Sequence, residues 1–370
     1  MNSQNSRDPA ACATSHATSP TGWAPGWLYV CRPGYESVLA SEVQQAARER
    51  GVSGYCRARS GSGRVSFHRQ TGGAGEVTHG TGAASEAPEL TFARAGGDLI
   101  GELQDLPTDA RAEAIMAALP PNAAFHGEPR VDAPDTAEGR RLATFCRRFR
   151  GALRRALAKR ARADGDELWC LFPDSGRVFL ARRTPGLWPL DWPAGVPRLK
   201  RSKAAPSRSA LKLEEALHRL VPEALQPRRD QHAVDLGAAP GGWTWVLRRR
   251  GLRVTAVDPQ RLKGELPEDP WVEHLRADAF RYVPERPVDW LVCDLVERPQ
   301  RVGPLVQRWL AQGWCRHAVF NLKLPMERPL DVVQRTRQEL AGLGARHITV
   351  AQLYHDRDEV TLFAALHAGR

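Results

Sequence analysis

From residue 206 onward, short apolar runs alternate with segments of helical spacing. The runs at 232–237, 253–258, 288–294, 317–323, 347–353 and 359–366 predict strands; 210–221, 242–250, 300–312 and 329–343 predict helices. Regular alternation of this kind makes a mainly parallel, doubly wound α/β sheet. The last two strands are separated by a short turn, so an antiparallel hairpin is expected to end it. Upstream the pattern differs. Residues 27–34 form a strand-like run ending at Pro33-Gly34, followed by helical spacing from Tyr35 to Arg50 (Val38, Leu39, Val43, Ala46). From Thr91 to Leu119 a strand-like piece precedes an alanine-rich helix, so 26–119 reads as a small α+β domain. Residues 70–88 interrupt it without periodicity, as a loop or insertion.

Between Arg140 and Arg162, Leu142, Phe145, Phe149, Leu153 and Leu157 recur at steps of three and four, an apolar stripe along a helix. The rest of that surface holds ten Arg or Lys residues and no acid. Mixed signs are usual on a solvated face, so this density points to phosphate contacts; Arg147, Arg148, Arg150, Arg154 and Arg155 are the candidates. A plain solvent face is the alternative. Strand signals at 167–172 and 177–181 complete a second α+β module over 120–185. Prolines 189, 193 and 197 then stiffen a connector over 186–205. Its basic end contributes Lys200, Arg201 and Lys203, and its Trp188 and Trp192 either stack on bases or pack the connector against a domain face.

Composition narrows the class. No apolar run is long enough to span a membrane, and the Ser-, Thr-, Ala- and Pro-rich residues 1–25 read as a disordered tail, not a signal peptide. Seven scattered cysteines, with no Cys-x-x-Cys pair, suit reduced thiols in a cytoplasmic protein better than disulfides or zinc. A net charge of +11 favours a polyanionic partner, although arginine-rich composition alone also produces it.

The chemistry concentrates after the 232–237 run. In Asp235-Leu-Gly237-Ala-Ala239-Pro240-Gly241-Gly242, glycines let a turn approach a ligand, and the following helix points free N–H groups at the same place. Asp258 lies 21 residues after Gly237, where an acid holds ribose hydroxyls in Rossmann-type folds. Gly-x-x-x-Gly-Gly is not the dinucleotide spacing, which favours an adenosyl cofactor over NAD. Asp294 and Lys323 close two further strands, Asp278 sits in a loop before the Asp294 strand, and Glu359 opens the last one. Ligands of doubly wound sheets bind at that edge. Taken singly, each acid also reads as a turn former or helix cap. Lys212 lies in the first turn of a helix expected to be capped by Ser209, where a cation opposes the helix dipole; either function or compensation by Glu214 and Glu215 explains it.

Two lysines, an aspartate and a glutamate around such a pocket resemble the tetrad of FtsJ-like ribose 2′-O-methyltransferases. The runs Cys31-Arg-Pro-Gly, Phe145-Cys-Arg-Arg-Phe, Leu211-Lys-Leu-Glu-Glu-Ala, Phe320-Asn-Leu-Lys-Leu-Pro-Met and Gln352-Leu-Tyr-His-Asp-Arg-Asp-Glu-Val-Thr extend the resemblance to the RlmM family, over roughly 26–366. The departures are the tail, the 70–88 insertion and Ala239, where relatives can carry cysteine.

That resemblance implies catalytic Lys212, Asp294, Lys323 and Glu359. It implies S-adenosyl-L-methionine bound by Ser209, Asp235, Gly237, the Ala239–Gly242 turn, Asp258, Asp278 and Asp294, with no metal. It also implies a Rossmann-like methyltransferase domain over 206–370, preceded by ferredoxin-like and THUMP-like RNA-binding modules. The expected partner is 23S ribosomal RNA, methylated at a cytidine ribose by a cytoplasmic monomer. In this picture Asp294 orients Lys323, which takes or steers the hydroxyl proton, and Glu359 balances Lys212. A non-catalytic ribosome-assembly factor and an NAD-dependent enzyme remain as alternatives.

Overall fold

The computed structural model describes residues 26–70, 86–183 and 192–366. The expected tail, most of the expected insertion and part of the connector, Trp188 included, lie outside the described residues.

The amino-terminal half runs β1 (Gly26–Val30), α1 (Glu36–Glu49), β2 (Gly54–Ala58), β3 (Arg64–Arg69), β4 (Ala95–Leu103), α2 (Arg111–Ala118), β5 (Arg130–Asp132), α3 (Ala137–Leu157), β6 (Glu167–Asp174) and β7 (Arg177–Arg183). Strands from both expected modules join in one seven-stranded sheet, β2-β3-β1-β4-β7-β6-β5, through the antiparallel β4–β7 ladder. Helix α1 turns Leu39, Val43, Ala46 and Ala47 inward at steps of four, three and one, against Trp27, Tyr29 and Phe67. The predicted stripe of α3 faces the core, with Leu142, Phe145 and Phe149 partly buried. Leu153 and Leu157 are fully enclosed, and Phe145 and Phe149 both set their edges on Phe172. Strands β2 and β3 had no clear apolar rhythm in the sequence. β2 leaves three of its five residues exposed, so its pairing with β3, not burial, defines it.

The carboxyl-terminal half runs α4 (Ala210–Leu220), β8 (His232–Leu236), α5 (Gly242–Arg249), β9 (Arg253–Val257), β10 (Val272–Leu275), β11 (Val288–Cys293), α6 (Pro299–Ala311), β12 (Cys315–Lys323), α7 (Pro329–Gly342), β13 (His347–Ala351) and β14 (Glu359–Ala365). The sheet order is β10-β9-β8-β11-β12-β14-β13, with β14 antiparallel to both neighbours and every other pairing parallel. The expected terminal hairpin is therefore present, and its second strand slots inside its first. Successive residues of β8 face opposite cores: Ala233 meets the α4–α5 layer, while Val234 and Leu236 meet the α6–α7 layer. Burial on both faces explains why these strands read as unbroken apolar runs.

The two halves are sewn together. Gln352 donates its backbone N–H to Thr91 (2.8 Å), Arg219 reaches the carbonyl of Ala93 (2.5 Å), and Arg32 donates to the carbonyl of Asp356 (2.7 Å). Of the cysteines in the described residues, five are buried and Cys56 is half-buried, all with free thiols.

Candidate active site

The parallel strands β8, β9, β11 and β12 deliver Gly237, Asp258, Asp294 and Lys323 to one edge of the sheet. Because β14 runs antiparallel, its first residue meets the last of β12: Lys323 and Glu359 are register partners. Helix α4 crosses the same edge and lowers Lys212 onto it. Glu359, only 1% exposed, accepts one ammonium on each carboxylate oxygen, Lys212 on Oε1 and Lys323 on Oε2. Burial alone would raise its carboxyl pKa; the two lysines more than offset this and hold it below the usual range. Burial likewise works against charge on Lys212, but Asp294 and Glu359 outweigh it and raise its pKa.

Two expectations change here. Among the described residues Asp294 does not pair with Lys323. Its Oδ1 lies 3.6 Å from Lys212 Nζ and accepts the side-chain amide of Asn321 at 2.7 Å. Glu359 is thus the bridge between the lysines, and Asp294 is the second counter-charge of Lys212. Nor do Glu214 and Glu215 compensate that lysine. Glu214 forks onto Arg250 (2.7 and 3.1 Å), and the fully buried Glu215 accepts the backbone N–H groups of Tyr354 (2.7 Å) and His355 (3.1 Å). Glu215 therefore clamps the 352–358 loop that leads into Glu359.

Behind the lysines lies a buried polar chain that the sequence reading missed. Asn321 accepts the hydroxyl of Thr361 (2.7 Å), and Thr361 lies 3.0 Å from Asp356, whose other contact is the N–H of Leu353 (2.9 Å). Burial, then the charge of Glu359, pushes the Asp356 carboxyl well above the ordinary aspartate value. A signal was present: Asn321 and Thr361 stand two residues from Lys323 and Glu359 within apolar strands, hence on the same face.

The glycine turn sits beside this group. Gly241 adopts φ +112°, and a Cβ there would stand 2.3 Å from Leu266 Cδ1. A Cβ on Gly242 would meet Ser209 Oγ at 2.2 Å, so only glycine lets α4 and α5 begin in contact. The Ala239–Pro240 bond is cis. Ser209 does not cap α4: its own backbone is helical, and its hydroxyl is held by Ser207 Oγ at 2.6 Å. Asp258 accepts the N–H of Ala239 (3.0 Å) and of Gln260 (2.8 Å), fixing the turn to the end of β9. Asp278, half-exposed beyond β10, accepts the N–H of Phe280 (2.9 Å). Asp235 is buried beneath the turn. Its Oδ2 accepts Thr244 (2.7 Å), Oδ1 has no partner, and burial raises its pKa to about 7.

The expected RNA-contacting side chains Arg147, Arg148, Arg150, Arg154 and Arg155 are all exposed on α3, as are Lys200, Arg201 and Lys203 after the connector. Their field is less uniform than the helix sequence implies, because Glu128 pairs with Arg150 and Arg154 at 3.3 Å each. All three residues remain about half-exposed or more at these pairs, so little is lost by breaking them. Trp192 is half-buried and accepts Arg130 at its carbonyl (3.2 Å).

This fold and edge define a methyltransferase of the FtsJ-like class, whose family model matches residues 205–310 and thereby Lys212 and Asp294. Residues 25–96 match the RlmM ferredoxin-like domain, and 110–167 match the amino-terminal region of ribosomal RNA large subunit methyltransferase M. Relatives carrying that last name are similar almost throughout. The one from Halorhodospira halophila is 54% identical over 349 residues, 93% of this chain and 98% of its own. The one from Alkalilimnicola ehrlichii is 45% identical over 360 residues, 93% and 96% respectively. The chain belongs to the ribosomal RNA large subunit methyltransferase M family.

Proposed function

We propose that the protein transfers the methyl group of S-adenosyl-L-methionine to the ribose 2′-hydroxyl of a cytidine in bacterial 23S ribosomal RNA. The observation that carries this is Glu359 bridging Lys212 and Lys323 beside the glycine turn. Two ammonium groups and two carboxylates converge where a substrate hydroxyl and a cofactor can meet.

The residues present suit an adenosyl cofactor. No side chain caps the first N–H groups of α5, the Gly241–Gly242 turn is bare of Cβ atoms, and Asp258 stands at the end of β9 for ribose hydroxyls. Ser209, Asp235, Gly237, Ala239, Pro240 and Asp278 line or support the same edge. When bound, the cofactor supplies a methyl group made electrophilic by its sulfonium. The protein must align the hydroxyl oxygen and manage its proton. Lys323 is the amine placed for this. It has one carboxylate partner where Lys212 has two, and its side chain is 38% exposed against 16%. Lys212 stays charged and fixes Glu359, which in turn holds Lys323 at the mouth. We read 26–119 and 120–185 as the ferredoxin-like and THUMP-like modules that hold the RNA, with α3 as the phosphate-contacting helix.

Transfer of tritium from labelled S-adenosylmethionine to 23S RNA lacking the modification tests the reading. Wild type is expected to label one cytidine ribose, and Lys323→Ala to lose at least about a hundredfold in rate, the usual scale of general acid–base catalysis. No labelling by wild type would sink the enzyme reading and favour a non-catalytic RNA-binding factor. Full labelling by Lys323→Ala would remove only the role given to that lysine.

A further inference from the structure

Where the two halves meet there is a polar cavity of about 450 Å³, bounded by the β1–α1 turn, the start of α3 and the 352–358 loop. Arg32, Arg94, Arg140, Asp135 and Tyr354 line it. We propose that this notch binds one phosphodiester of the RNA and thereby sets the strand in register with the catalytic edge. The proposal rests on the RNA-methylating reading above and adds the place where the backbone is gripped.

The charge count is the first argument. Three guanidinium groups face one lining carboxylate among the described residues: Asp135 takes Arg94 on one oxygen (3.3 Å) and Arg140 on the other (3.1 Å). Arg32 spends its Nη1 on a neutral acceptor, the carbonyl of Asp356. Arg94 is no surface group. Its side chain is 2% exposed, it lies over the ring of Tyr354 at 4.9 Å, and its Nε is buried without a hydrogen-bond partner. A buried charge is costly unless fully paired and hydrogen-bonded. An anion in the cavity would supply further counter-charge to the three guanidinium groups, and the first turn of α3 contributes the positive end of a helix dipole.

Position is the second argument. Arg140 is the amino-terminal member of the α3 cations, two turns before Arg147 and so on about the same side of the helix. On the opposite wall, Tyr354 belongs to the loop that Glu215 clamps and that leads directly into Glu359. A phosphodiester held here touches the RNA-facing helix and the catalytic loop together. Recognition needs no base, because planar guanidinium forks match phosphate oxygens.

The test is equilibrium binding of an unmodified 23S RNA fragment to the full chain between 50 and 200 mM salt, with cofactor affinity and thermal unfolding measured in parallel. Arg140→Gln alters an exposed side chain and is expected to fold normally. It should weaken RNA several-fold and reduce the slope of log K against log salt by about one, with cofactor affinity unchanged. Asp135→Asn removes the one lining carboxylate among the described residues and should shift RNA affinity the opposite way. Wild-type affinity and slope in both variants would overturn the notch while leaving the methyltransferase reading intact. Equal loss of RNA and cofactor binding in Arg140→Gln would also overturn it, as a structural effect. Failure of wild type to bind the RNA would remove the functional reading and the notch with it.

Discussion

The hydroxyl of Thr361 lies 2.7 Å from the amide oxygen of Asn321 and 3.0 Å from the nearer carboxylate oxygen of Asp356. It has one proton to give. Asn321 donates its amide N–H to Asp294, so its oxygen must accept, and the Thr361 proton is committed there. Turning the amide over would set its oxygen against the Asp294 carboxylate. The contact between Thr361 and Asp356 is then a hydrogen bond only if Asp356 carries a proton. That state agrees with complete burial among Glu359, Lys212 and Glu215. A neutral Asp356 thus holds Thr361, Thr361 holds Asn321, and Asn321 holds Asp294 against Lys212.

Asp356→Asn keeps a donor for Thr361 and an acceptor for Leu353 without the carboxyl proton. It should retain methyl transfer within about threefold. Asp356→Ala leaves the chain unanchored, a loss of about 1–3 kcal/mol, which corresponds to roughly ten- to a hundredfold in rate if it falls on the transferring geometry. Single-turnover rates at saturating cofactor distinguish the two. Equal damage in both variants would show that Asp356 acts as a charged group.

Asp235 titrates in a measurable window. Burial lifts its folded pKa to about 7, well above the ordinary aspartate value near 4, so between these values the unfolded chain releases a proton that the folded chain keeps. Stability from this site is therefore complete below about pH 4, falls as pH rises, and levels off above about pH 7, a change of order 4 kcal/mol. Asp235→Asn cannot titrate. Chemical denaturation at pH 5, 6, 7 and 8 should show wild type losing stability relative to the variant up to about pH 7 and no further. Parallel curves across the whole range would mean that the buried carboxyl is already ionised at pH 5.

Gly242→Ala places a methyl group 2.2 Å from Ser209 Oγ and 2.4 Å from Ser207 Oγ. The starts of α4 and α5 must separate, at about 1–3 kcal/mol, and the turn moves with them. Calorimetric titration should show S-adenosylmethionine affinity reduced roughly tenfold, with RNA affinity retained. An unaltered cofactor affinity would place the adenosyl group elsewhere.

Reversal of Arg147, Arg148 and Arg154 to glutamate changes only exposed side chains and releases Arg154 from a weak pair with Glu128. RNA affinity at 100 mM salt should drop by at least about a hundredfold, and the salt slope should flatten. Cofactor affinity and melting temperature should hold. RNA binding equal to wild type would return α3 to an ordinary solvent face.

The carboxyl-terminal half was legible because its strands are buried on both faces. Such strands read as continuous apolar runs, and each polar residue at the end of one stands out. Asp258, Asp294, Lys323 and Glu359 were found that way, and the register of β12 with β14 joins the last two directly. β10 escaped because its four residues form a partly exposed edge strand without alternation. Partner choice escaped for a different reason. Glu215 lies one helical turn from Lys212, within reach by sequence spacing, yet its carboxylate turns to the backbone of Tyr354 and His355. Which counter-charge meets which lysine depends on the sheet order, and the insertion of β14 between β12 and β13 is not encoded in local pattern.

The bridge between Lys212 and Glu359 spans 147 positions of the chain, and this has a bearing on biosynthesis. Translation delivers the lysine long before Glu359, and among the described residues β13 has no neighbour in the sheet except β14. An emerging polypeptide can complete its glycine turn and its first five parallel strands, with Asp294 already beside Lys212, while the candidate edge still lacks Glu359. The site is complete only when the hairpin docks, β12 gains its second partner and Glu359 meets both ammonium groups.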